Sequence, residues 1–193
     1  GASKGEGLGN KFLGNIRNTN APEEIGTMIT HGAVEEPNPY VITGIAGRLG
    51  FSVISVEKAM MNGEVGFGRK VLQAVEEFGL SFEHMPTGID TMCVVLSTAE
   101  LEPVKEQLTR RIWETTNPDT LTIHDNMGII ATVGRGMVHN PGTAARLFTA
   151  LSRYHINVRM IDQGSSELSI LVGVDSGEFQ QAILAIYDEF VSE

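Results

Sequence analysis

The residues best suited to chemistry lie in Met61-Asn62-Gly63-Glu64-Val65-Gly66-Phe67, where glycines crowd a turn that leads into an amphipathic stretch. A helix start offers free backbone N–H groups and the positive end of its dipole, and both favour a carboxylate. Glycine lets a ligand come close to the backbone. Beyond that stretch, Leu80-Ser81-Phe82-Glu83-His84 reads with a period of two, placing Ser81 and Glu83 on one face and His84 on the other. A carboxylate-binding turn beside an acidic side chain suits a small zwitterion, an α-amino acid. The same residues also fit a plain tight turn with a solvated Glu83, and spacing alone leaves both readings open.

Other chemistry has less to stand on. His31, His84, His124, His139 and His155 show no ligand spacing, and a single cysteine argues against a structural zinc site. No phosphate-loop pattern is present, and Gly66-Phe-Gly-Arg-Lys resembles one only through two glycines and a basic pair. Ser165-Ser166 has no histidine at a spacing that defends a triad. Cys93 sits in Met92-Cys-Val-Val-Leu96, an apolar run where it reads as a small buried hydrophobe.

The elements that must position the glycine turn come in duplicate. Displaced by 76 residues, Phe51 falls on Met127, Gly66 on Gly142, and Val71, Leu72, Val75 and Phe78 on Leu147, Phe148, Leu151 and Tyr154. Leu80 and Phe82 then fall on Ile156 and Val158, and Met92, Val94 and Leu96 on Leu168, Ile170 and Val172. Apolar positions that keep phase through two periodicities point to one module carried twice.

The first copy reads as strand Phe51–Glu57, a helix from Phe67 to Phe78 stopped by Gly79, strands Leu80–Met85 and Thr91–Leu96, a helix Leu101–Trp113 and a strand Leu121–His124. The second reads as strand Met127–Gly134, helix Pro141–His155, strands Ile156–Asp162 and Leu168–Val174, and helix Phe179–Phe190, with no fourth strand. A bare sheet edge is a liability. One strand is spare, Tyr40–Ala46, followed by a turn at Gly47–Gly50. The expected fold is therefore α+β: two ferredoxin-like βαββαβ modules, interlocked, with strand 40–46 completing the second. The divisions are a flexible start and remnant of a preceding domain at 1–39, the donated strand at 40–46, the first module at 47–125 and the second at 126–193.

Bulk properties narrow the partners. At 193 residues and 41% apolar content the chain can bury a core, and a net charge of −10 argues against nucleic acid. An RNA-binding module of this topology would show aromatics on a basic face, whereas Phe51 and Phe82 fall in phase with Met127 and Val158 and read as core. One cysteine, no signal peptide and no long apolar run point to a cytoplasmic protein without membrane contact.

Met61-Asn-Gly-Glu-Val-Gly-Phe-Gly-Arg-Lys70, Phe82-Glu-His-Met-Pro-Thr-Gly-Ile-Asp90 and Gln163-Gly-Ser-Ser-Glu167 together resemble the regulatory portion of monofunctional aspartate kinases. Val41-Ile-Thr-Gly-Ile-Ala46, Ile16-Arg-Asn-Thr-Asn20 and Gly26-Thr27 resemble that family's junction between kinase and regulatory regions. The resemblance implies tandem ACT domains that sense an end-product amino acid and pair as a homodimer, with effectors at the interface. It places the effector at Met61, Asn62, Gly63, Glu64, Val65, Gly66 and Phe67, with Ser81, Phe82 and Glu83 on the neighbouring strand. L-lysine is the expected effector, with Glu83 or Glu64 taking its ammonium while Arg69 and Lys70 point away, and L-threonine is the alternative. Asn140-Pro-Gly-Thr143 is a similar turn in the second copy, expected to be structural or interfacial rather than a second sensor. The family's Lys-Phe-Gly-Gly kinase start is missing. The chain is therefore expected to be inactive alone and to need no cofactor, ATP and magnesium belonging to a kinase domain partner.

Overall fold

A computed structural model describes residues 41–191. The expected flexible start at 1–39 and Tyr40 of the donated strand lie outside the described residues. Six strands form one antiparallel sheet: β1 (Gly44–Glu57), β2 (Phe82–His84), β3 (Thr91–Ser97), β4 (Thr120–Val133), β5 (Met160–Asp162) and β6 (Ser169–Asp175), in the order β2-β3-β1-β4-β6-β5. Four main helices accompany them: α1 (Phe67–Glu77), α2 (Lys105–Thr116), α3 (Thr143–Arg153) and α4 (Phe179–Val191).

The interlock is present, in a more continuous form than the sequence suggests. Gly47–Gly50 is not a turn. The chain runs through it as one strand, and so does the join between the two copies, where Leu121–His124 and Met127–Gly134 merge into β4. Gly44 to Leu49 pair with Val133 to Gly128, while Val53 to Glu57 pair with His124 to Thr120. Each long strand thus serves the second module with one half and the first with the other. The register slips between Leu49 and Val53, beside Gly50 at φ +89° and Asn126 at φ +59°. A bulge of this kind bends and twists a strand without ending it. Glycine there satisfies a backbone conformation that a turn would also want, which is why the sequence reads as a turn.

Two cores lie beneath the helices. Ile54, Val56, Met92, Val94 and Leu96 pack with Val71, Val75, Leu108 and Ile112 in the first module. Ile130, Ile170, Val172 and Val174 pack with Leu147, Leu151, Ala182 and Ile186 in the second. α2 starts later than expected, because Pro103 lies in a separate turn at Glu102–Val104 and lacks the N–H that would carry a helix through it.

A third core mixes the modules: Phe51, Val53 and Val95 with Met127, Ile129 and Met160, on the face that carries no helix. The end strands of the sheet also meet, His84 Nδ1 of β2 lying 3.4 Å from Asp162 Oδ2 of β5. The sheet closes upon itself along its helix-free face. At the crossing, the buried Ser52 hydroxyl donates to Asp125 Oδ1 at 2.6 Å, and Lys105 Nζ donates to Oδ2 at 2.7 Å. Those two bonds, the lysine's first, hold the Asp125 carboxyl below its ordinary range.

The gapless repeat fails by two residues in its last third. β3 and β6 share one burial pattern, but Met92, Val94 and Leu96 correspond to Ile170, Val172 and Val174, a displacement of 78 (92 to 170). Leu168, expected opposite Met92, is exposed. Two extra residues between Ile156 and Met160 preserve the period of two, so the shift leaves no trace in the pattern. Phe82 then matches Met160, not Val158. It is also not core: it is 44% exposed on an end strand, while Met160 is 8% exposed.

Gly128 tests this packing. A Cβ there would stand 2.4 Å from Phe179 Cδ2 and 2.9 Å from Leu49 Cδ2. Gly128→Ala should therefore lower stability by about 1–3 kcal/mol, read by thermal unfolding. An unchanged melting temperature would show that the Phe179 contact is not tight.

Candidate functional site

The glycine loop is built as the sequence implies. Met61–Gly63 form a short helical turn, Met61 and Phe67 are buried anchors, and Asn62, Gly63, Val65 and Gly66 are exposed, Val65 at 97%. Gly66 precedes α1 at φ +81° with no side chain capping the first turn, which leaves the helix start accessible. Gly142 holds the same place before α3.

The charges of the loop differ from expectation. Arg69 does point along the helix, donating to Gln73 Oε1 at 2.7 Å. Lys70 does not: its Nζ turns back to Glu64 Oε1 at 2.5 Å, while Lys58 Nζ reaches Oε2 at 2.7 Å and the Thr116 carbonyl at 2.7 Å. The turn at Gly66 carries Glu64 back over the first helical turn, within reach of Lys70. Both oxygens of Glu64 are therefore engaged, and the hydrogen bonds from Lys58 and Lys70 lower its pKa. Lys58, Arg69 and Lys70 outnumber Glu64 and the Asp119 carboxylate that accepts from the Ala59 N–H at 2.7 Å, an excess of positive charge that suits the carboxylate of an amino acid better than its side-chain ammonium.

Ser81 is exposed, and Glu83 is half-buried and ion-paired with Arg48 of β1. Glu83 and His84 do not take opposite environments, since a register shift between Phe82 and His84 lets both reach second-module residues, Arg48 and Asp162. The loop and this strand are also apart within one chain. Lys58 N–H bonds the Asp90 carbonyl at one end of β3, whereas Phe82 pairs with Leu96 at the other. Six residues of strand separate them, about 20 Å. One protomer does not bring the two halves together.

Three contributors escaped the sequence. Lys58 and Lys70 sit six residues either side of Glu64, a spacing with no helical or strand meaning, and Arg48 falls in the stretch read as a turn. Cys93 is half-buried rather than fully buried: it packs against the third core, and burial pushes its thiol pKa up.

A family model described as ACT domain matches residues 130–190. Aspartokinase 3 of Bacillus subtilis is 41% identical over 176 residues, which cover 91% of this chain. The chain is homologous to aspartokinase and carries an ACT domain. It spans 38% of the length of that Bacillus relative. The aspartate kinase of Clostridium acetobutylicum superposes on this chain with a TM-score of 0.77 at 46% identity, covering 81% of this chain and 36% of its own. Escherichia coli aspartokinase III in complex with lysine and aspartate (T-state) shares the fold at a TM-score of 0.65 and 17% identity, covering 81% and 35%.

The Glu64 cluster gives a pH prediction. A depressed carboxylate contributes stability above its unfolded pKa and loses it as pH falls through the folded value. Carboxyl-carbon NMR should show Glu64 titrating below the ordinary range, and Lys58→Met with Lys70→Met should return it there. Ordinary titration in the unmutated chain would refute the cluster.

Proposed function

We propose that this chain is the amino-acid-sensing regulatory region of a cytoplasmic aspartate kinase. It binds the end product L-lysine and thereby feeds back on aspartate phosphorylation by an ATP- and magnesium-dependent kinase domain, in the route to lysine, threonine and methionine. The observation that carries the reading is the uncapped start of α1 behind a glycine loop rich in positive charge, a fit for an α-carboxylate. The lysine-bound E. coli neighbour supports a ligand of that class on this fold.

The separation of the loop from Ser81–Glu83 supports a homodimer. β2 is an end strand with Phe82 exposed. Antiparallel pairing of two β2 edges across a two-fold axis reverses one protomer against the other. The start of the partner strand, with Ser81 and Phe82, then lies beside the loop end of the first protomer. Met60 and Val65, exposed apolar residues of the loop, would be covered there. Light scattering at tens of micromolar should give twice the 20.9 kDa chain mass. A monomer, with and without amino acids, would refute the paired site.

L-threonine is the second reading, and a specific observation favours it. Glu64 and Glu83, the carboxylates expected to take a lysine ammonium, are both already ion-paired. Calorimetry with both amino acids separates the two. For lysine, Glu83→Gln should weaken binding about ten- to hundredfold, the worth of one charge-assisted hydrogen bond, without unfolding the chain. Tighter binding of threonine than of lysine by the unmutated chain would overturn the lysine assignment.

A further inference from the structure

We propose that Arg48 is a built-in competitor for the effector's side-chain cation at Glu83, setting both effector choice and the tie between the two modules. The inference rests on the lysine reading above. Arg48 stands in the half of β1 that pairs with the second-module half of β4, opposite Ile129. Its guanidinium donates to Glu83 Oε1 on β2, a strand of the first module. It also lies 4.4 Å from the centroid of the Phe51 ring, and Phe51 is only 2% exposed. A buried ring is a fixed platform, so the guanidinium is held over its carboxylate rather than sampling many rotamers.

That placement has a cost for a cationic ligand. Glu83 carries one negative charge, and Arg48 already balances it. A lysine ammonium gains a full partner only by displacing the guanidinium or sharing the carboxylate with it. Displacement is feasible because the Arg48 side chain is 37% exposed and keeps the Phe51 face and water once released. It also loosens β2 from the second module, leaving His84–Asp162 as the remaining polar link between these strands that the structure shows. A hydroxyl side chain such as threonine's has no charge to exchange and leaves Arg48 in place. Affinity for a cation is thus held below what a free Glu83 would give, and cation binding is converted into a change between the modules.

The test is isothermal calorimetry of L-lysine and L-threonine with the full chain and its Arg48→Met, Arg48→Gln and Arg48→Lys variants. Methionine keeps the apolar stem over Phe51 and removes the charge, and glutamine serves if the methionine variant does not fold. The neutral variants should bind lysine about tenfold more tightly while threonine is unchanged, and Arg48→Lys should resemble the parent. A merely structural role would weaken both amino acids together. Lysine binding that is equal or weaker in both neutral variants, with clear binding to the parent, overturns the competitor and leaves the lysine reading intact. No lysine binding to any of the proteins overturns both.

Discussion

Everything in this chain depends on two fourteen-residue strands that each belong to both modules. β1 and β4 pair along almost their whole length, and the slip beside Gly50 divides that pairing into a half for each module. The second half-sheet has its fourth strand only through the early half of β1, Gly44 to Leu49. The arrangement also explains the third core. A bulged crossing bends the sheet, and the bend brings the helix-free faces together over Phe51, Met127 and Met160. The polar pin at Ser52, Asp125 and Lys105 sits at that crossing, where a slip of one residue would turn the first-module side chains outward.

The same closure decides what the candidate site is made of. Because the sheet folds back, β2 meets the second module, and Glu83 acquires a cation from a strand that the first module alone would not supply. At the other end of β3, the glycine loop closes on its own charges, with Glu64 between Lys58 and Lys70. The lysines around Glu64 and the carboxylate paired with Arg48 lie about 20 Å apart along one protomer.

Much of the fold was legible because burial imposes periodicity. The helix stripes at Val71, Val75, Leu147 and Leu151, and the alternation in β3 and β6, survive any detail of packing. The loan of an early strand to the late module followed from counting edges. What escaped were features that periodicity does not encode. Gly50 reads identically in a turn and in a bulge. Two inserted residues before Met160 keep the alternation in phase, so the error in matching Leu168 to Met92 was invisible. Phe82 looks like core by composition, and its position on an end strand exposes it. The turn and helix start at Met61 to Phe67 were legible from the glycines before an apolar stripe, but ion pairs across distant segments, such as Arg48 with Glu83, exist only once the sheet has closed.

The long strand pairing also has a consequence in time. Gly44 finds its partner at Val133, 89 residues later (44 to 133), with the whole first module between them. At a synthesis rate of about 5–20 residues per second, that half of β1 waits on the order of ten seconds on the ribosome before its partner exists. In that interval the first module has most of what it needs, whereas residues 44–49 form an unpaired extension at its margin. Contacts of such long range raise the mean sequence separation and slow folding. A nascent chain of this kind therefore stays open to chaperones, or to pairing with a neighbour on the same message, until Gly128 to Val133 have been made.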